Sequence, residues 1–213
     1  MNWVLVCMVF GLGACASTYR VSPVVAPDQV PVFEQAGDMV RSSKKHVVEL
    51  GAVRADMRQF DMPRFFIRFK NQGKNPLEFS SENVSVTFND SPARVLSYEA
   101  QIQDVQNRLS YYGMRAPVFL QPSYHPFFGA YRGGFVFVDD FNDRLDVQQA
   151  LADLDYIQNH SLKPKVVRPG DEVAGEIVIG TKLAAGRSQT MVVNVAVDGE
   201  NHQFTFGYDQ MQR

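Results

Sequence analysis

The sequence predicts a mainly β fold, a β-sandwich with two helices inserted near its middle. Apolar and polar residues alternate in several short segments, as Val84, Val86 and Phe88 do around Ser85 and Thr87. Alternation with a period of two is typical of a half-buried strand, and turn-forming residues separate these segments. Six or seven such strands joined by polar turns favour two packed sheets.

The strand candidates fall into two groups, one before the predicted helices and one after them. They comprise residues 46–57, 64–70, 79–88 and 93–96, and then residues 172–179, 190–197 and 203–208. Residues 71–76 are dense in turn formers and predict a chain reversal within the first group. Asp198-Gly199 is a short hairpin signal between the last two strands.

Two amphipathic segments predict helices within an insertion at about residues 97–160. Ser97 can cap a helix that ends near Leu109, and Asn142 can cap a second helix that ends near Asn159. Each segment has one apolar stripe and an opposite polar face. We therefore expect each helix to lie against the sandwich.

The first residues resemble the signal peptide of a bacterial lipoprotein. An apolar run of about 14 residues, short of the roughly 20 that a transmembrane helix needs, contains Leu12-Gly13-Ala14-Cys15, which resembles a lipobox. The resemblance implies a signal peptide over residues 1–14 and a mature chain that begins at an acylated Cys15. A departure is that only Met1-Asn2 precede the run, without Lys or Arg. The alternative is a buried N-terminal strand or helix.

The lipoprotein resemblance also implies a location and a redox state. The second cysteine, Cys7, lies in the predicted signal peptide, so the mature chain has no free thiol and no disulfide. Ala16 is not the aspartate associated with inner-membrane retention, which by resemblance favours the periplasmic face of the outer membrane. A net charge of −2 offers no electrostatic basis for binding nucleic acid.

Residues 15–43 are predicted to form a tether ahead of a domain over residues 44–213. Three prolines favour extended conformations there, namely Pro23, Pro27 and Pro31. The interspersed valines leave open a second interpretation, an edge strand that docks on the domain. We expect the domain alone to fold as a mostly β monomer. A basic cluster near the end of the tether is either a solvated face or a contact for anionic head groups: Arg41, Lys44 and Lys45.

Four segments carry a resemblance to a known group of proteins. They are the aromatic strand at residues 65–69, the turn and strand at 79–84, the helix entry at 93–99 and the Pro-Gly stretch at 167–176. Over residues 45–208, apart from the segment between the helices, the chain is similar to a loose group of periplasmic lipoproteins. The resemblance implies an immunoglobulin-like β-sandwich in the cell envelope. That group shares no common activity.

The segment between the predicted helices, residues 111–141, is rich in aromatic residues and glycine. It holds ten of the chain's 25 aromatic residues. Exposed aromatic rings supply a large contact area at low entropic cost. The candidate interaction surface is therefore Tyr124, Phe127, Phe128 and Tyr131. Two alternatives stay open, since these rings could pack back onto the sandwich or contact the membrane.

No pattern of residues indicates catalysis, a metal site or a cofactor. The four histidines are scattered without the spacing of a helical metal site, and no nucleophile elbow, P-loop or dinucleotide motif is present. Four aspartates crowd near the start of the second helix, where they complement its dipole: Asp139, Asp140, Asp143 and Asp146.

The sequence specifies no biochemical activity, and three classes of function stay open. The first is an outer-membrane-anchored module that binds or assembles another envelope protein. The second is a binder of glycan, peptidoglycan or a small molecule through the aromatic segment. The third is a hydrolase whose active site is assembled only in three dimensions.

Overall fold

A computed structural model describes residues 17–34, 37–59, 61–115, 140–182 and 188–211. The strands are β1 Thr18–Val24, β2 Gln29–Glu34, β3 Gly37–Ser43, β4 Val47–Ala52, β5 Asp56–Arg58, β6 Arg64–Lys70, β7 Leu77–Phe79, β8 Val84–Phe88, β9 Ser91–Ala93, β10 Val95–Leu96, β11 Lys165–Val167, β12 Glu172–Ile179, β13 Ser188–Val197 and β14 Glu200–Gln210. The helices are α1 Tyr98–Arg115 and α2 Asp140–His160, and a 3₁₀ turn spans Ser81–Asn83.

Two six-stranded sheets form the body of the domain. The front sheet has the order β5-β1-β14-β13-β8-β9, and the back sheet has the order β10-β12-β6-β4-β3-β2. β7 and β11 form a separate two-stranded sheet. The prediction of a mainly β-sandwich with two inserted helices is therefore confirmed.

Apolar side chains from both sheets fill the space between them. In Arg64–Lys70 every second side chain is fully buried, and these are Phe65, Ile67 and Phe69. The ring centroid of Phe65 lies 4.6 Å from that of Phe206 on the front sheet. Burying one large apolar side chain contributes roughly 1.5–3 kcal/mol, so the period of two in the sequence reflects the main stabilising interaction of the fold.

The predicted tether is wrong from Thr18 onward, because these residues form three strands of the sandwich. β1 pairs with β14 and β5 in the front sheet, and β2 and β3 extend the back sheet. Pro31 lies on the edge strand β2, and Pro23 follows the part of β1 that pairs with β5. Proline is tolerated where no neighbouring strand needs its missing N–H. The edge-strand interpretation, not the tether, describes this region.

The two helices pack against each other, so the expectation that each lies against the sandwich is wrong. Val105 of α1 is buried with Ala150 and Ile157 of α2, in a cluster separate from the sandwich core. Each apolar stripe is covered by the partner helix, and the remaining faces are mostly polar, with Tyr111 and Leu151 as exposed apolar residues. We call this antiparallel pair, α1 with α2, the helical arm. Among the described residues, no helix is long and apolar enough to cross a membrane.

The predicted helix ends are correct at one cap and wrong at the other. Ser97 caps α1, because the Ala100 N–H donates to its Oγ at 3.1 Å. α2 begins at Asp140, so Asn142 lies inside the helix and does not cap it. α1 also continues past Leu109 to Arg115.

The arm joins the sandwich along β12. The Leu162 N–H donates to the Glu176 carbonyl oxygen at 2.9 Å, and the Tyr156 hydroxyl donates to the Glu176 carboxylate at 2.7 Å. A Cβ on Gly175 would lie 2.6 Å from the backbone N and Cα of Leu162. The chain after α2 can therefore reach the core only because residue 175 has no side chain.

Replacing Gly175 by alanine is expected to lower the free energy of unfolding by about 1–3 kcal/mol, the usual range for overpacking. The backbone of Leu162 must move to make room, which disturbs the base of the arm. Chemical denaturation measures the change. Gly207→Ala is the control, because its Cβ would find no atom nearer than 3.8 Å. Equal stability of both variants would contradict the steric explanation.

Candidate functional site

The residues that the sequence selects for interaction lie outside the described residues. They are Cys15, Tyr124, Phe127, Phe128 and Tyr131. The structure instead gives the position of the chain on either side of them. β1 begins shortly after Cys15, and the helical arm brackets the aromatic segment.

The helical arm extends from its base at the sandwich to the chain positions that border the aromatic segment, Arg115 and Asp140. α1 has 18 residues, which corresponds to a length of about 27 Å. Its first residue, Tyr98, lies at the base, where the Lys163 ammonium group is 5.5 Å from the centre of its ring. Along the arm, Tyr111 and Leu151 are exposed to 53% and 45%. The arm thus offers apolar surface of its own.

A second feature of the domain is a cluster at the β13–β14 hairpin, in which two buried histidines meet two carboxylates that are more exposed. We call it the histidine cluster. The His46 Nε2 lies 3.3 Å from the Asp198 Oδ2, and the His202 Nε2 lies 3.6 Å from the Glu200 Oε2. The His202 Nδ1 is 3.0 Å from the Ser42 Oγ. Both imidazoles are fully buried.

The hairpin predicted from Asp198-Gly199 is confirmed and positions this cluster. The two residues have φ of 45° and 78°, the left-handed conformation that a tight two-residue turn requires. Glu200 and His202 follow at alternate positions of β14, so their side chains share one face. His46 reaches the same place from the start of β4. The sequence showed the hairpin but not its pairing with His46, which is distant along the chain.

Hydrogen bonds and burial shift three pKa values in the cluster. The bond from Lys45, followed by that from His46, lowers the pKa of Asp198. Desolvation raises the pKa of Glu200, but the N–H groups of Lys45 and His46, at 2.8 and 3.1 Å, outweigh it, and the net shift is downward. Burial lowers the pKa of His202 in spite of the nearby Glu200 carboxylate.

The order Ser42, His202, Glu200 has the residue types of a catalytic triad, but its burial opposes catalysis. Ser42 is only 2% exposed and His202 is fully buried. A nucleophile must reach the substrate atom that it attacks, and this hydroxyl faces the interior. The contacts instead join β3 to β14 across the sandwich.

Folding stability is expected to fall as the pH drops below about 6.5, the ordinary histidine value. The unfolded chain takes up a proton at His202 before the folded protein does, because the pKa is lower in the folded state. Asp198 and Glu200 add a second loss near their ordinary values of about 4.

Thermal melts between pH 7 and 5 measure the first of these losses. His202→Gln should flatten the decline of the melting temperature, whereas His160→Gln, at an exposed position, should leave it unchanged. Parallel pH profiles for wild type and His202→Gln would contradict the role given to this imidazole.

Two open cavities lie at the same end of the sandwich as the histidine cluster. A cavity of about 370 Å³ lies beside the β13–β14 hairpin. A second, of about 350 Å³, lies on the outer face of the back sheet. On its floor Glu49, 4% exposed, accepts from Arg41 at 2.6 Å and from Arg68 at 2.8 Å. Lys70 and Glu172 also line this second cavity, so its wall carries both positive and negative side chains. Such a wall suits a polar ligand.

The basic cluster predicted near residue 43 is engaged within the protein. Lys44 donates to the Asn201 carbonyl oxygen at 2.6 Å, Lys45 pairs with Asp198, and Arg41 binds a carboxylate on β4. The two lysine bonds hold the β3–β4 turn to the β13–β14 hairpin. The cluster is therefore more than a solvated face, because all three side chains bind other parts of the fold.

No family model, curated protein or solved structure matches this chain. Within the described ranges, no three His, Cys, Asp or Glu side chains gather to hold a metal ion. The fold therefore defines the protein only as a β-sandwich with a helical arm. The resemblance to periplasmic lipoproteins stays a prediction.

Proposed function

We propose that this protein is a lipoprotein of the outer membrane, held at the periplasmic face by acyl chains on Cys15, that binds or assembles another envelope component. The anchoring part rests on Leu12-Gly13-Ala14-Cys15. It is supported by the position of β1, which begins at Thr18. Cleavage before Cys15 would remove nothing from the described fold.

The binding part rests on one observation, the projection of the helical arm from the sandwich. The buried apolar residues of α1 and α2 pack against each other, in a cluster separate from the sandwich core. Such an arm adds little to the sandwich core, which suits a role other than stabilising the sandwich. It brackets the segment at residues 111–141, whose composition suits a contact surface. We assign partner binding to this segment, with Tyr124, Phe127, Phe128 and Tyr131 as its anchors.

Cys15→Ala is expected to abolish acylation and to release the protein from the membrane. Metabolic labelling with a fatty acid, followed by membrane fractionation, measures both effects. Cys7→Ala is the matched control, because Cys7 precedes the proposed cleavage site and its loss should leave labelling intact. Equal label on wild type and Cys15→Ala would exclude the lipoprotein assignment.

A further inference from the structure

We propose that the end of the sandwich at which β1 begins rests directly on lipid head groups, and that the hairpin end faces away from the bilayer. This inference rests on the proposed acylation of Cys15. It replaces the tether predicted from the sequence with a fixed orientation of the domain.

The length of chain between the lipid and the fold carries this inference. Ser17 is already held by the domain, since the Gln59 N–H donates to its carbonyl oxygen at 2.7 Å and the Gln210 side chain donates to its Oγ at 2.9 Å. Two residue steps separate Ser17 from Cys15, and an extended chain spans at most about 7 Å over that distance. A diacylated Cys15 lies at the membrane surface, so this end of the sandwich must lie there too.

The surface beside the anchor has the chemistry of a head-group contact. Thr18 pairs with Arg58, and the Met211 N–H donates to the Thr18 carbonyl oxygen at 2.8 Å. The chain turns after Arg58, where the Asp61 N–H donates to its carbonyl oxygen at 3.1 Å. Met62 follows and is 44% exposed. Arg58 is exposed and the Asp61 carboxylate accepts from its N–H at 2.9 Å, so the turn presents both charges to the phosphate and amine of a zwitterionic head group, and the Met62 side chain suits the interface below them.

The histidine cluster and both cavities lie at the other end. β14 runs from Glu200 at the hairpin to Gln210 beside Ser17. Ten residue steps of a strand cover about 33 Å. A rigid sandwich standing on its β1 end therefore holds the hairpin that far from the head groups, outside the range of contact with the bilayer.

Depth-dependent quenching of a fluorescent label tests the orientation. The mature chain has no thiol besides the acylated Cys15, so one new cysteine gives specific labelling. Met62→Cys reports on the proposed contact, and Lys74→Cys, in the turn after β6, reports on the hairpin end. The acylated mature protein is placed in phosphatidylethanolamine and phosphatidylglycerol vesicles that carry a head-group spin label.

The label at position 62 should be quenched at least about threefold more than the label at position 74. Inserting about twelve Gly and Ser residues after Ala16 adds roughly 19 Å of average reach and should reduce that difference. Equal quenching at the two positions, or stronger quenching at 74, overturns the orientation while leaving the acylation in place. A chain that takes up no fatty acid overturns the proposed function and this inference together.

Discussion

A protein that lacks residues 1–43 should fail to fold, whereas a protein that starts at Ser17 should fold as a mostly β domain. The shorter chain loses β1, β2 and β3, and with them four buried apolar side chains: Tyr19, Val21, Met39 and Val40. At roughly 1.5–3 kcal/mol each, their loss removes about 6–12 kcal/mol. Domains have only about 5–15 kcal/mol of net stability.

Far-ultraviolet circular dichroism and thermal melting distinguish the two proteins. The protein starting at Ser17 should melt cooperatively and with the same midpoint in the presence of a reductant, because the mature chain has no disulfide to reduce. A cooperative melt of the chain starting at Lys44 would show that the first three strands are dispensable. That outcome would restore the tether for residues 15–43.

Replacing Tyr124, Phe127, Phe128 and Tyr131 together with serine should abolish partner binding and change the melting temperature by no more than a few degrees. If these rings form the contact surface at the end of the arm, none supports the core. Surface substitutions usually change stability by less than about 0.5 kcal/mol each. If instead the rings pack on the sandwich, each loss costs about 3 kcal/mol or more, and the variant unfolds.

Two binding assays show which kind of partner the quadruple variant no longer binds. Pull-down from cross-linked envelopes detects a protein partner, and sedimentation with purified sacculi detects peptidoglycan, the second class of ligand considered for this segment. Phe33→Ser is the matched control, because Phe33 is 78% exposed on β2 and far from the arm in the fold. An unfolded quadruple variant rejects the recognition role, and so does a stable variant that keeps every interaction.

The structural features that the sequence predicted correctly depend on local patterns of residues. The β6 alternation, the Asp198-Gly199 turn and the Ser97 cap each depend on residues close together in sequence, and the structure contains all three. The tether prediction is wrong because Pro23 and Pro31 lie within strands β1 and β2. Whether a proline is tolerated in a strand depends on whether a neighbour pairs at that position, and only the sheet order shows this.

The sequence by itself determined the fold class, the Ser97 cap, the Asp198-Gly199 turn, and which residue types stand at Cys15 and in the aromatic segment. The tertiary structure alone decided where the domain begins, that the helices cover each other, and that His46 meets Asp198 while His202 meets Glu200. The physical reason is the range of the interactions. Hydrophobic periodicity and turn conformation are written within a few residues, whereas strand order and the burial of a charge depend on partners brought from distant parts of the chain.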